Sequence, residues 1–207
     1  MKEYASGDIR NFALVGHATC GKTTLSEAML VCSGVINRMG SVAAGTTVSD
    51  YHDAEHRRKI SIHSSLLHTE WLGKKFNIVD TPGYADFISE ALGALRICDF
   101  AVAVVHPLDG PAVGTDQVWR WATDFAIPKM IVVNMLDKEH TDFDAMLVTL
   151  KERYGPKVFP MAVPVNSGPG FNQVLDVMRN EIITYETDGS GRYTEAPATG
   201  KWAERVK

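Results

Sequence analysis

The sequence predicts an α/β fold, a three-layer sandwich with a mostly parallel central sheet, followed by the start of a β-rich inserted subdomain. Three observations carry this reading. Short apolar runs alternate along the chain with stretches of helical period. Two of those runs, residues 100–105 and 129–133, are Val-rich and continuously apolar, as parallel strands covered on both faces are. Beyond about residue 157 prolines and glycines break the alternation, and the character changes.

The elements follow in order. A first strand is expected over residues 9–15, a mostly apolar run that stops at Gly16. A helix follows over residues 22–32, with Leu25, Ala28, Met29 and Cys32 at helical spacing. Residues 34–53 are Gly-rich and polar and read as a flexible loop. Ile60, Ile62 and Ser64 open a second strand that continues to Trp71, residues 72–75 turn the chain, and residues 76–79 form a short strand stopping at Asp80. Residues 87–97 show helical period through Ile88, Ala91, Leu92 and Leu95. A helix over residues 114–125 joins the two Val-rich strands, and Trp119 and Trp121 on it are packing residues. Phe143, Met146, Leu147 and Leu150 mark one side of a helix over residues 142–154, closed by Gly155-Pro156. Residues 174–186 alternate as one strand, Asp188-Gly189-Ser190-Gly191 is a turn, and residues 192–195 pair back as a hairpin. Residues 202–207 read as the first turn of a helix. The expected division is residues 1–164 for a nucleotide-binding domain and 165–207 for part of the insertion.

Composition narrows the function. The chain has 207 residues, 45% hydrophobic and 22% charged, enough to bury a sizeable core. A net charge of -4 argues against gripping nucleic acid through the whole surface, and no direct DNA binding is expected. The polar start and the lack of a run of about 18 apolar residues argue against a leader or membrane span, so a cytoplasmic protein is expected. Cys20, Cys32 and Cys98 suggest free thiols. His52, Asp53, Glu55 and His56 cluster in sequence but are ranked low as a metal site, and Arg57-Arg58-Lys59 reads as a solvated face.

The chemistry lies in three motifs at expected strand ends. Gly16-His17-Ala18-Thr19-Cys20-Gly21-Lys22-Thr23 fits G-x-x-x-x-G-K-S/T between a strand and a helix, the phosphate-cradling P-loop. Lys22 then reaches the β- and γ-phosphates, Thr23 supplies a hydroxyl to Mg²⁺, and Thr24 is a further phosphate contact. Asp80-Thr81-Pro82-Gly83 follows a short apolar strand, which suits Asp80 for Mg²⁺ and the Gly83 N–H for a γ-phosphate oxygen. Alone it would be a plain turn; beside a P-loop it becomes specific. Asn134-Met135-Leu136-Asp137 follows the strand at residues 129–133. A carboxylate at Asp137 accepts from guanine N1–H and the exocyclic amine, and Asn134 braces the loop; the bland reading is a helix cap. Together the motifs predict a P-loop NTPase that binds GTP or GDP with Mg²⁺.

The ordered trio resembles that of translational GTPases, and residues 10–30 with residues 80–87 look like elongation factor G. Residues 45–51, 58–62 and 170–177 look most like a divergent, second type of bacterial elongation factor G, whose GTP-binding domain carries an insertion. The resemblance implies a soluble elongation factor of protein biosynthesis, with the ribosome as partner and hydrolysis coupled to translocation in the intact protein. It places Ser61 where the family has the switch I threonine, a ligand of Mg²⁺. Tyr84 stands where the family's water-placing histidine would be, and a phenol is a poorer base than an imidazole. Met135 replaces the lysine of N-K-x-D and covers a base only by dispersion. Thr19 stands where the family often has an acidic residue. The family's last base-binding loop has no convincing counterpart after Val174, Ser190-Gly191 being a poor candidate. The chain is therefore expected to be a fragment of a longer GTPase, weak or inactive by itself. A module that senses GTP with little or no hydrolysis is the alternative, and an ATP-dependent P-loop enzyme a third.

Overall fold

Residues 2–205 are described in the computed structural model of the chain. They divide into two compact units, one of residues up to 106 with residues 111–134, the other of residues 107–110 with those from 135 onward.

A five-stranded sheet organises the first unit. β1 (Ile9–Val15), β2 (Ser65–Trp71), β3 (Lys74–Asp80), β4 (Phe100–Val105) and β5 (Lys129–Val133) lie in the order β2-β3-β1-β4-β5. β1 pairs in parallel with β3 and β4, β4 in parallel with β5, and β2 adds an antiparallel edge. Side chains of a strand alternate between its faces, and the two faces hold separate cores. Ala13, Val15, Val79, Ala101 and Ala103 pack with Ala91, Ala94 and Leu95 of α3 (Ile88–Ile97) and with Val118 and Ala122 of α4 (Val113–Asp124). Phe12, Leu14, Ile78, Val102 and Val104 pack on the other face with Leu67 and with Leu30 of α1 (Lys22–Cys32). Helix, sheet and helix form the expected three layers, and Trp119 and Trp121 flank the α3–α4 core.

Two local expectations change in this unit. Residues 60–64 are not a strand, and β2 begins only at Ser65. The backbone N–H groups of Ile62 and His63 donate to Glu55, and that of Ser64 to Glu90, so they are not offered to a ladder. A six-residue helix, α2 (Asp53–Arg58), directly precedes them. β4 is buried along nearly its whole length, and β5, the sheet's edge strand, is also covered on both faces, Ile131 packing on one core and Val132 on the other while Met130 is exposed.

The second unit contains α5 (Phe143–Tyr154), capped by Asp142, whose Oδ1 accepts the Ala145 N–H at 3.0 Å. β6 (Ala162–Pro164), β7 (Gln173–Asp176), β8 (Glu181–Tyr185) and β9 (Tyr193–Pro197) make a four-stranded antiparallel meander. Residues 174–186 are thus two strands rather than one. Asp176 Oδ1 accepts the N–H groups of Met178 and Arg179, and Asn180 takes φ 56°, which folds the segment into a turn. The hairpin beyond Tyr185 forms over the predicted turn, where the Ser190 N–H donates to Asp188 Oδ1 at 2.8 Å. Val163, Leu175 and Ala198 centre a small core bordered by Phe143 and Trp202. α6 (Lys201–Glu204) is the helical turn expected near the end, and residues 206–207 lie outside the described residues.

Candidate functional site

The site begins with register. Leu14 of β1 lies opposite Asp80 of β3, so the carboxyl ends of the two strands meet, where open α/β sheets bind ligands. The chain leaves β1 through Gly16, with φ 135° and so little room that a Cβ would lie 2.5 Å from the Val104 carbonyl oxygen. It enters α1 through Gly21, at φ 90°. Between them Thr19 also takes a left-handed φ, 63°, which puts the loop under backbone strain. Lys22 is buried, and its Nζ donates to the carbonyls of Gly16 (3.1 Å) and His17 (2.8 Å), so the ammonium is folded into the loop. Ala18 and Cys20 are buried, whereas His17, Thr19 and Thr24 are exposed. The His17 N–H is directed at Thr115 Oγ1 on α4, at 3.3 Å. Asn134 Nδ2 donates to the Cys20 carbonyl at 3.0 Å, tying the end of β5 to the loop. Burial pushes the Cys20 thiol up, which keeps it protonated.

Thr23, Ser61 and Asp80 come together at the first turn of α1. Thr23 Oγ1 and Ser61 Oγ are 3.2 Å apart. Asp80 is 2% exposed; its Oδ2 accepts weakly from Ser26 Oγ at 3.4 Å, and its Oδ1 has no hydrogen-bond partner among the described residues. Burial drives its carboxyl up to about 6, and the Thr23 hydroxyl and Lys22 ammonium pull it back only part of the way. An orphaned buried carboxylate oxygen beside two hydroxyls is a hard-oxygen donor set, and it fits Mg²⁺.

Thr81 is fully buried, and its Oγ1 donates to the Leu14 carbonyl at 2.7 Å, which fixes the next loop to β1. Gly83 therefore lies against the P-loop. A Cβ at Gly83 would stand 2.3 Å from Lys22 Nζ and 2.6 Å from the Ala18 nitrogen. Tyr84 follows, 39% exposed, at the start of a 3-10 turn whose Phe87 N–H donates to the Tyr84 carbonyl.

Asp137 belongs to the second unit. It is exposed, with Lys138 Nζ 3.7 Å from its Oδ2, and Met135 beside it takes a left-handed φ of 56°. Ser190 also lies there, in the exposed turn between β8 and β9.

Four carboxylates that no motif singles out bind the segment between α1 and β2. Glu27, fully buried on α1, accepts the Gly40 N–H at 2.7 Å and the Val48 N–H at 2.6 Å. Glu55 and Glu90 hold residues 62–64. Burial pushes the Glu55 carboxyl up, but the N–H groups of His63, Ile62 and His52 outweigh it and leave it below its ordinary value. Asp50 is buried near Ser61, and burial raises its carboxyl against the opposing Ser61 and Thr47 hydroxyls. A glutamate three residues beyond His52 is half of a capping pattern, and was the available signal for Glu55. Glu55 is spent on backbone donors, and among the described residues no group of three or more His, Cys, Asp or Glu is placed to hold a metal.

The chain is similar to known proteins over nearly its whole length. The sequence model of the elongation factor Tu GTP binding domain matches residues 7–196. The chain is 33% identical over 198 residues to elongation factor G 2 of Streptomyces coelicolor, covering 96% of this chain and 29% of that protein. It is 32% identical over 200 residues to elongation factor G of Mycoplasma pneumoniae, covering 97% and 29%. A crystal structure of a Thermus thermophilus protein superposes with a TM-score of 0.89 at 35% identity, over 98% of this chain and 30% of that one. The chain thus spans about three-tenths of the length of these relatives. Among the described residues no helix is long and apolar enough to cross a membrane.

Proposed function

From the premise that this chain belongs to the elongation factor Tu GTP binding domain family, we propose that it binds GTP and GDP with Mg²⁺, and that in an intact elongation factor G-like protein it hydrolyses GTP on the ribosome to drive translocation. The observation that carries the reading is the meeting of Thr23, Ser61 and the orphaned Asp80 oxygen beside Lys22 at the start of α1.

Gly16, His17, Ala18, Thr19, Cys20, Gly21, Lys22, Thr23 and Thr24 form the phosphate cradle in this reading. Lys22 exchanges the Gly16 and His17 carbonyls for phosphate oxygens, a charge-assisted pairing stronger than the one it leaves. Thr23, Ser61 and Asp80 would hold Mg²⁺, which when bound neutralises charge on the β- and γ-phosphates. The Gly83 N–H meets the terminal phosphate, so that Ser61 and Gly83 are ordered together and released together. Asp137 selects guanine, and Asn134 steadies the phosphate loop through the Cys20 carbonyl. Tyr84 takes the place from which an attacking water is oriented; its hydroxyl aligns that water but is a weak proton acceptor, so hydrolysis is slow. That same residue favours the second reading, a GTP-sensing module with little turnover.

Two measurements test this. Calorimetric titration of GTP, GDP and ATP with Mg²⁺ into the 207-residue chain is expected to show guanine nucleotides binding more tightly than ATP; equal affinity removes Asp137 as the selector. Single-turnover phosphate release from the intact protein is expected to be accelerated by ribosomes. Tight GTP binding with no release under either condition establishes the sensing module instead.

A further inference from the structure

We propose that Glu55 is a positioning residue for Ser61. Its carboxylate gathers the backbone on both sides of α2 and thereby sets the Ser61 hydroxyl at Thr23. The inference rests on the reading of Thr23, Ser61 and Asp80 as the Mg²⁺–nucleotide site.

Glu55 is 1% exposed and is the buried residue of α2. Oε2 accepts the His52 N–H at 3.1 Å, on the residue before the helix. Oε1 accepts the N–H groups of Ile62 (2.9 Å) and His63 (3.0 Å), the two residues after Ser61. The Lys59 N–H closes the helix onto the Glu55 carbonyl at 2.7 Å, with Lys59 at φ 57°, so residues 59–63 bend back around the Glu55 side chain. Ser61 is then held from one side by this bend and faces Thr23 Oγ1 across 3.2 Å on the other.

The chemistry requires a carboxylate. Three N–H donors converge on two oxygens, and an ionised carboxylate offers acceptor sites on both. A glutamine keeps one accepting oxygen and turns an NH₂ group toward the remaining donors, and an alanine leaves all three without their partner. Packing does not compensate, because the sequence of α2, Asp-Ala-Glu-His-Arg-Arg, has a single apolar residue and the helix is six residues long. Polar bonds therefore decide where the segment carrying Ser61 lies: Glu55 takes the two N–H groups that follow Ser61, with Glu90 at Ser64 and Asp50 near the Ser61 hydroxyl as further anchors. A GDP-bound site draws chiefly on the P-loop, so the effect is confined to ligand states that use Ser61.

The test compares wild type, Glu55→Ala and Glu55→Gln in the full chain, by displacement of fluorescent nucleotide with a non-hydrolysable GTP analogue and with GDP across a Mg²⁺ series. Glu55→Ala is expected to lower affinity for the GTP analogue roughly tenfold and to raise the Mg²⁺ needed for half-saturation, with GDP affinity changed by less than about twofold. Glu55→Gln is expected to fall between, at roughly threefold, and carries the comparison if circular dichroism shows the alanine variant unfolded. Equal losses for both nucleotides, or none for either, overturn the positioning role. A wild-type chain that binds neither nucleotide overturns the reading of the site itself, and this proposal with it.

Discussion

Gly83 is the residue on which the candidate site allows the least. A methyl group there would fall 2.3 Å from Lys22 Nζ and 2.6 Å from the Ala18 nitrogen, one a buried cation held by two carbonyls and the other main chain. The Lys22 side chain can swing away, but the P-loop main chain at Ala18 cannot, and the loop carrying Gly83 is pinned behind by Thr81. Gly83→Ala is therefore expected to move the segment after Asp80 off the P-loop and reduce affinity for a GTP analogue roughly tenfold, leaving GDP within a few-fold. Equilibrium titration of both nucleotides decides this, and an unchanged ratio would show that the close approach has no bearing on the terminal phosphate. At the same scale the motif residues were legible, since Gly16 to Thr23 are contiguous and their chemistry is local. Glu27 and Glu90 were not, because their partners are backbone N–H groups on other segments, which no spacing reveals; for Glu55 the spacing to His52 hinted at a cap but not at the bonds to Ile62 and His63, and the local Thr47–Asp50 pair carries no motif.

Among elements, β1, α1, β4 and β5 coincide with the expected bounds, because apolar period and glycine punctuation agree there. α2 was illegible: six polar-rich residues carry no apolar stripe, and its stability comes from Glu55 and the chain ends it binds. The β-like appearance of Ile60 and Ile62 misleads for the same reason, since side-chain carboxylates take the donors a strand would use. Lys59 ends α2 in the left-handed region at φ 57° and ψ 38°, where a side chain costs about 1 kcal/mol and glycine does not. Lys59→Gly is expected to raise stability by about 1 kcal/mol, read from the urea midpoint at constant slope. A lower midpoint would mean that the lysine side chain, which reaches over Gly45, contributes more than the strain it causes.

For the whole molecule, the buried Asp80 makes stability depend on pH in an unusual direction. Its carboxyl is raised by burial from 3.8 to about 6, so the folded chain binds that proton more tightly than the unfolded chain. Stability is then greatest, for this group, below the unfolded value; it falls as pH rises from 3.8 to about 6, by up to about 3 kcal/mol, and stays lowered above that. Melting temperatures of nucleotide-free protein across this window should show that decline once other carboxyls are accounted for by an Asp80→Asn comparison, and Mg²⁺ with GTP should remove it by holding the ionised form. A decline identical in Asp80→Asn would assign it to other groups.

The anchoring of the loop on α1 has a thermodynamic corollary. Thr23 and Glu27 lie one helical turn apart, so the helix that presents the Thr23 hydroxyl also grips Gly40 and Val48. Nucleotide and loop thus share a lever, and linkage between them is reciprocal: whatever free energy a nucleotide contributes to ordering the loop, any partner that orders the loop returns to the nucleotide by the same factor. A surface that grasps residues 40–48 in their α1-bound arrangement would slow nucleotide escape without touching the phosphate cradle.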